Sequence, residues 1–186
     1  MAGNTSKIQL ISNALILLGD APISALTDSG AGAIAGANLY DSSYINMLSM
    51  HRWRFATKKA KLARLSETPQ SEYKYQYQMP SDLVMLQNTT AERDFDIYED
   101  KIYTNYKELE IEYTYKVKED FLPAYFIKTF EFFLAAQFAI PVTGNTTRAN
   151  EYLGMYNSQL RKAKALDSTS RPAQQIKHNL IADIFS

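Results

Sequence analysis

The chain has 186 residues, 46% apolar and 22% charged, which is enough to bury a core and unlike a disordered sequence. Twenty Lys and Arg balance twenty Asp and Glu, whereas a dedicated DNA binder carries a large positive surplus. The absence of cysteine excludes disulfides, thiolate nucleophiles and cysteine-ligated zinc.

The opening "MAGNTSKIQL" has no basic region followed by a long apolar run, so no signal peptide is expected. A first helix is predicted over residues 6–18. Ile8, Ile11, Leu15 and Leu18 recur at three- and four-residue steps, Ser6 can cap the start and Gly19 can end it. "DAPISALTDSGAG" reads as a loop. A second helix is predicted over 31–50, with Ala33, Ala37, Tyr40, Tyr44 and Met47 on one stripe and Ile34, Ile45 and Leu48 on a second apolar face. Gly30, Gly32 and Gly36 fail as a dinucleotide fingerprint: the third glycine is one position too far and no strand precedes them. No cofactor is expected. Small residues here instead let another backbone approach closely.

"HRWRFATKK" follows, with the chain's only tryptophan, Trp53, between Arg52 and Arg54. Two-residue alternation puts Trp53 and Phe55 inward and the arginines outward, which makes Trp53 an anchor between helical and β parts. Eight of the thirteen tyrosines lie between 73 and 115. "YKYQYQMP" alternates as a half-exposed strand closed by Pro80. "LEIEYTYKV" places Leu109, Ile111, Tyr113, Tyr115 and Val117 on one face, and Glu110, Glu112, Thr114 and Lys116 on the other. "FDIYEDKIYTNY" between them reads as a hairpin turning near Glu99-Asp100-Lys101.

A third helix begins after Asp120, taken as its cap, with Pro123 in the first turn. It is apolar nearly all round to about residue 139. Lys128, Glu131 and Gln137 interrupt the stretch 121–142, which favours a buried helix over a membrane span. After a break at "PVTGN", a fourth helix carries Ala149, Leu153, Tyr156, Leu160 and Ala163 on one stripe. The tail is polar and then ends in Leu180, Ile181, Ile184 and Phe185, an arm with an apolar hook. The expected fold class is α+β: a four-helix portion with a central antiparallel β-rich insertion and an extended C-terminal tail. The expected division is 1–52 helical, 53–118 β-rich, 119–168 helical and 169–186 arm.

Chemistry is nearly absent. His51 and His178 lie far apart with no nucleophile or metal partner at recognisable spacing. Asp94 with Asp96, and Glu110 with Glu112, alternate along strands as solvated faces do. No metal site and no catalysis are expected. Charge is segregated, however. Residues 51–64 hold Arg52, Arg54, Lys58, Lys59, Lys61 and Arg64 with no acid, while 91–120 hold ten acids against five bases. Residues 161–178 hold five bases against one acid. Such lobes suit either stacking against copies and partners or an unevenly solvated surface.

Several stretches, in order, resemble the tail tubular protein A family, the head-to-tail adaptors of short-tailed bacteriophages. They are "ALILLGDAPISALTD" (Ala14 to Asp28), a long helix, Trp53-Arg54-Phe55-Ala56, "LARLSETPQSEYKYQYQMPSD" ending at Asp82, a β-rich middle and "FFLAAQFAIPVTGN". The match spans roughly residues 7–168; no Cys or Arg follows Pro80-Ser81-Asp82, and the tail does not align. The resemblance implies a structural virion protein of the neck, assembled in the bacterial host cytoplasm. Its copies would form a ring, usually twelvefold, that docks under the portal protein and meets the next tail component. Double-stranded DNA would pass through the lumen without sequence reading, and no membrane is involved. The family carries no catalytic residues to transfer. Leu18, Gly19, Pro22, Ile23, Leu26, Trp53, Phe55 and Pro80 read as turn and packing positions. Arg171, Ile176, Leu180, Ile181, Ile184 and Phe185 are the candidate contacts to a portal or neighbouring subunit. The patch Arg52 to Arg64 would face a neighbour. Three rivals stand beside this: a free-standing nucleic-acid binder using residues 51–64, an enzyme of the virion, and a connector of a long-tailed particle. Deleting residues 169–186 is expected to weaken ring or portal attachment while leaving the thermal unfolding of the rest unchanged; unchanged assembly would refute the role of the arm.

Overall fold

The Ser6 hydroxyl accepts a hydrogen bond from the Gln9 amide and so starts α1 (Lys7–Leu17). Gly19, with φ at +76°, turns the chain away. The computed structural model describes residues 5–69 and 71–170. Three more helices are α2 (Ala31–Ser49), α3 (Ala124–Thr143) and α4 (Thr146–Thr169). Between α2 and α3 run β1 (Thr57–Leu62), β2 (Tyr75–Gln78), β3 (Leu83–Thr89), β4 (Phe95–Tyr98), β5 (Lys101–Thr104) and β6 (Leu109–Tyr115). They form two antiparallel three-stranded sheets, ordered β1-β6-β3 and β2-β5-β4. The chain is an α+β protein, four helices with a central antiparallel insertion. The candidate arm contacts from Arg171 to Phe185 lie outside the described residues.

An apolar helix needs cover on every side, and α3 obtains it from α1, α2 and α4 together. Phe126, Phe130, Leu134 and Phe138, at steps of four, are fully buried. Tyr40 and Tyr44 of α2 meet Phe130 with ring centroids 5.5 and 5.3 Å apart, within the range of favourable aromatic pairs. Their hydroxyls are not left dry. Tyr44 donates to the Val117 carbonyl at 2.8 Å and Tyr40 to Glu119 at 3.1 Å, so α2 grips the strand-to-helix connection as well. Among the described residues α3 alone has the length and apolarity to cross a membrane, but its packing is that of a core helix. Glu131 on it accepts from Asn13 at 2.7 Å and from Lys128 at 3.4 Å.

The glycines at the start of α2 explain themselves through α1. A Cβ on Gly32 would sit 2.7 Å from Leu15, and one on Gly36 would sit 2.9 Å from Ile11. Small residues there let the two helices touch.

The sheets enclose a second, smaller core of Tyr77, Ala91, Ile102, Leu109, Ile111 and Tyr113, with Tyr115 touching both cores. The β4–β5 hairpin turns at Glu99-Asp100, and Glu99 takes a φ of +56°.

Several expectations need correction. Asp120 does not cap α3: it lies in a 3-10 turn (Glu119–Phe121), and Pro123 is the N-cap. Pro141 does not break α3: it forgoes the hydrogen bond to the carbonyl of exposed Gln137, and the helix runs only two residues further, to Thr143. Left-handed Gly144 ends the helix instead. Ala37 on α2 and Leu153 on α4 are exposed rather than on the buried stripes, and Ile34 and Ile45 face solvent. Gln76, expected outward, is buried and donates to the Glu67 carbonyl. Thr114, expected on the polar face of β6, is buried beneath Gln87 of β3.

Residues 54–56 form a 3-10 turn rather than a strand, yet Trp53 is fully buried and Arg52 and Arg54 are exposed. The Trp53 indole donates to the Met47 carbonyl at 3.0 Å and packs edge-on against Phe126 at 5.2 Å. Trp53→Ala is expected to cost about 3–5 kcal/mol, read as a lower denaturant midpoint; an alanine variant of parental stability would contradict the anchor.

A basic cleft where the insertion leaves the helices

Tyr156, Leu160 and Ala163 form the buried stripe of α4, and one four-residue step further along it falls Asp167, only 1% exposed. A buried carboxylate needs donors, and the chain supplies them from two distant segments. The Arg54 amide donates to both carboxylate oxygens at 3.0 and 3.3 Å, and the Tyr125 hydroxyl donates to one at 2.8 Å. His51 Nε2 lies 3.8 Å from the other. Burial, with the Asp167 charge beside it, pushes the Tyr125 hydroxyl well above its usual range, so it keeps its proton and donates. The first residues of the insertion are thereby fixed to the end of α4.

Over this joint opens a cleft of about 1020 Å³. Phe55 and Pro123 give it apolar floor; Arg52, Arg54, Lys58 and Lys59 give it cations; Tyr125, Ser168 and Ser170 give it hydroxyls. Four of the six predicted patch residues therefore meet here. Lys61 and Arg64 do not: Lys61 pairs with Glu108 at 2.9 Å, and the Arg64 guanidinium lies over the Tyr75 ring.

The patch is far from bare. Arg52 reaches Glu112 at 2.5 Å, Lys59 shares that carboxylate at 3.8 Å, and Lys58 meets Asp82 at 2.7 Å and the Tyr115 ring. Among the described residues no carboxylate lies within ion-pair distance of the Arg54 guanidinium. Exposed pairs of this kind contribute little stability, but they remove net charge from the surface a phosphate backbone would meet.

Sequence reading missed Asp167, Tyr125, Glu112 and Asp82 as partners of this segment. Asp167 alone left a signal, an acid on the apolar stripe of its helix. The other predicted features stay apart. Asp96 accepts from Tyr73 at 2.9 Å on the far sheet, raising that hydroxyl to about 12. Among the described residues no three His, Asp or Glu side chains converge as metal ligands. What the cleft offers chemically is cations, hydroxyls and an apolar floor, a surface for holding an anionic group.

No family model matches the chain, and no curated protein matches it.

His51 stands at the cleft's rim, packed edge-on against Trp53. Burial, and then the Lys164 charge, hold its imidazole below the ordinary value of 6.5, against the opposing pull of Asp167. The folded chain thus disfavours the proton that the unfolded chain accepts. Stability from this group is complete above about pH 6.5 and is lost as pH falls through the lower folded value. Urea midpoints measured from pH 7.5 to 5 are expected to fall less steeply in His51→Gln than in the parent; parallel slopes would contradict this.

Proposed function

We propose that the chain is a structural virion protein, a head-to-tail adaptor. Its copies close into a ring beneath a portal, join it to the next tail component and surround the path of double-stranded DNA. The reading starts from the ordered resemblance between residues 7 and 168. It is carried by one structural observation: α2 and α4, packed on α3, each hold two exposed apolar residues eleven positions apart. Ile34 and Ile45 on α2 are 62% and 39% exposed, and Met155 and Leu166 on α4 are 50% and 52% exposed. Eleven residues make about three turns, so each pair lies on one outward helix face. Helices with such faces suit side-by-side packing of copies, and a heterologous contact between unlike faces closes into a ring when its rotation permits.

Residues such as Leu18 and Trp53, which the resemblance marks as packing positions, lie in the helical core. The segment 51–64 offers a free-standing nucleic-acid binder little net charge, since Arg52, Lys58, Lys59 and Lys61 already have carboxylate partners. DNA in such a ring is held by weak, sequence-blind contacts, which a neutral chain permits. The ring is expected to be twelvefold, and its place is the neck of the particle.

The test is co-sedimentation of the protein with the portal of its virus, with particle mass read by mass photometry. The parent is expected to add many copies per portal. Ile34→Asp and Leu166→Asp, at exposed sites that cost about 0.5 kcal/mol or less in stability, are expected to reduce that number sharply. A parent that neither self-associates nor binds the portal would contradict the proposal.

A further inference from the structure

The segregated charges of this chain cancel unevenly. On the cation side, Glu112 serves both Arg52 and Lys59, and among the described residues no carboxylate lies within ion-pair distance of the Arg54 guanidinium. On the acid side, residues 92–104, which contain the β4–β5 hairpin, hold five carboxylates against two cations, a net of minus three. Among the described residues none of those five, Glu92, Asp94, Asp96, Glu99 and Asp100, lies within ion-pair distance of a cation. Elsewhere on the insertion Asp82, Glu108 and Glu112 are paired, whereas Glu67, Glu72 and Glu110 stand without an ion pair among the described residues. Among the unpaired charges, the hairpin therefore carries a net negative run, and the cleft carries a cation without a carboxylate, Arg54.

Each of the two places also exposes apolar side chains. The cleft is concave, with half-buried Phe55 and Pro123 on its floor. Strand β4 of the hairpin is an edge of its sheet, because it pairs with β5 alone. Its end carries Ile97 and Tyr98, 44% and 54% exposed, beside the Glu99-Asp100 turn. No residue between 92 and 104 lines the cleft. A short edge strand with outward apolar side chains is normally covered or guarded. Guarding by acids on one copy and a basic cleft on the next would provide that cover.

We infer that the acidic tip of the β4–β5 hairpin seats in the basic cleft of a second copy of this chain, with Glu99 and Asp100 meeting Arg54 and with Ile97 and Tyr98 against Phe55 and Pro123. The seat rests on the ring reading above and names the joint within it. Because hairpin and cleft are different surfaces of one chain, the contact is head-to-tail, each copy giving a hairpin and receiving one. Complementary potentials of this kind set register and exclude the reverse orientation. The contact weakens with salt, since its charges sit at a solvent-open rim.

A charge-exchange cycle on the full chain tests the seat. Glu99→Lys and Arg54→Glu each remove one side; neither side chain has an ion pair of its own among the described residues. Circular dichroism and Trp53 emission confirm that the variants are folded. Each single variant is expected to raise the self-association midpoint about tenfold or more, and the double variant to return within about threefold of the parent. A second, smaller pair of changes covers the case of misfolding. The chain has no cysteine, so Arg54→Cys and Glu99→Cys proteins mixed in equal amounts should yield a covalent dimer with a short bismaleimide. Parental assembly by both single variants, a double variant no better than the singles, or no cross-linked dimer would overturn the seat. If the parent still forms rings with the portal in those cases, the ring reading stands without this joint. A parent that neither self-associates nor binds the portal removes both.

Discussion

The packing of Trp53 on Phe126 is the contact from which the rest of the architecture is positioned. Phe126 lies on α3, the helix that every other helix covers, and Trp53 is the point where the chain leaves α2 for the β insertion. Once Trp53 is buried and its indole bonded to Met47, the next residues have little freedom. The Arg54 amide falls on Asp167, Phe55 falls on Tyr125 and Phe126, and β1 begins two residues later. The cleft exists because this crossing leaves α4, α3 and β1 converging without filling the space between them.

The second organising fact is electrostatic. A chain of zero net charge presents strongly basic and acidic stretches, and the sheet β1-β6-β3 folds much of one against the other. Cations of β1 and its approach meet Glu108 and Glu112 at and beside β6 and Asp82 before β3. This cancellation turns an apparent nucleic-acid segment into a largely internal charge pairing. The Arg54 guanidinium and the acids of the β4–β5 hairpin stay outside that cancellation.

Fold class and the main helices were legible because they rest on local signals. Ser6, Gly19 and the four-residue steps of α3 report helix ends and faces directly. The misreadings of which side chains are buried share one cause, a tertiary neighbour invisible to periodicity. Gln76 is inside because Glu67 folds back over it, and Ile34 lies outside because α3 covers the other side of α2. Pro141 is the exception and a local one: the helix continues two residues past it before left-handed Gly144 ends it. At the cleft, the cations were legible as a run of charge, whereas Asp167 lies 113 residues from Arg54 and no spacing rule connects them. Tyr125 and Glu112 likewise acquire their roles only through packing.

The proposed ring assembly is tested most directly by single-particle electron microscopy of the full chain mixed with the portal protein proposed as its partner. The expected image is one closed ring of copies on the portal's tail-facing side, with the outward faces of α2 and α4 at the contacts between subunits. Isolated copies, or a ring in which Ile34, Ile45, Met155 and Leu166 all face solvent, would contradict it.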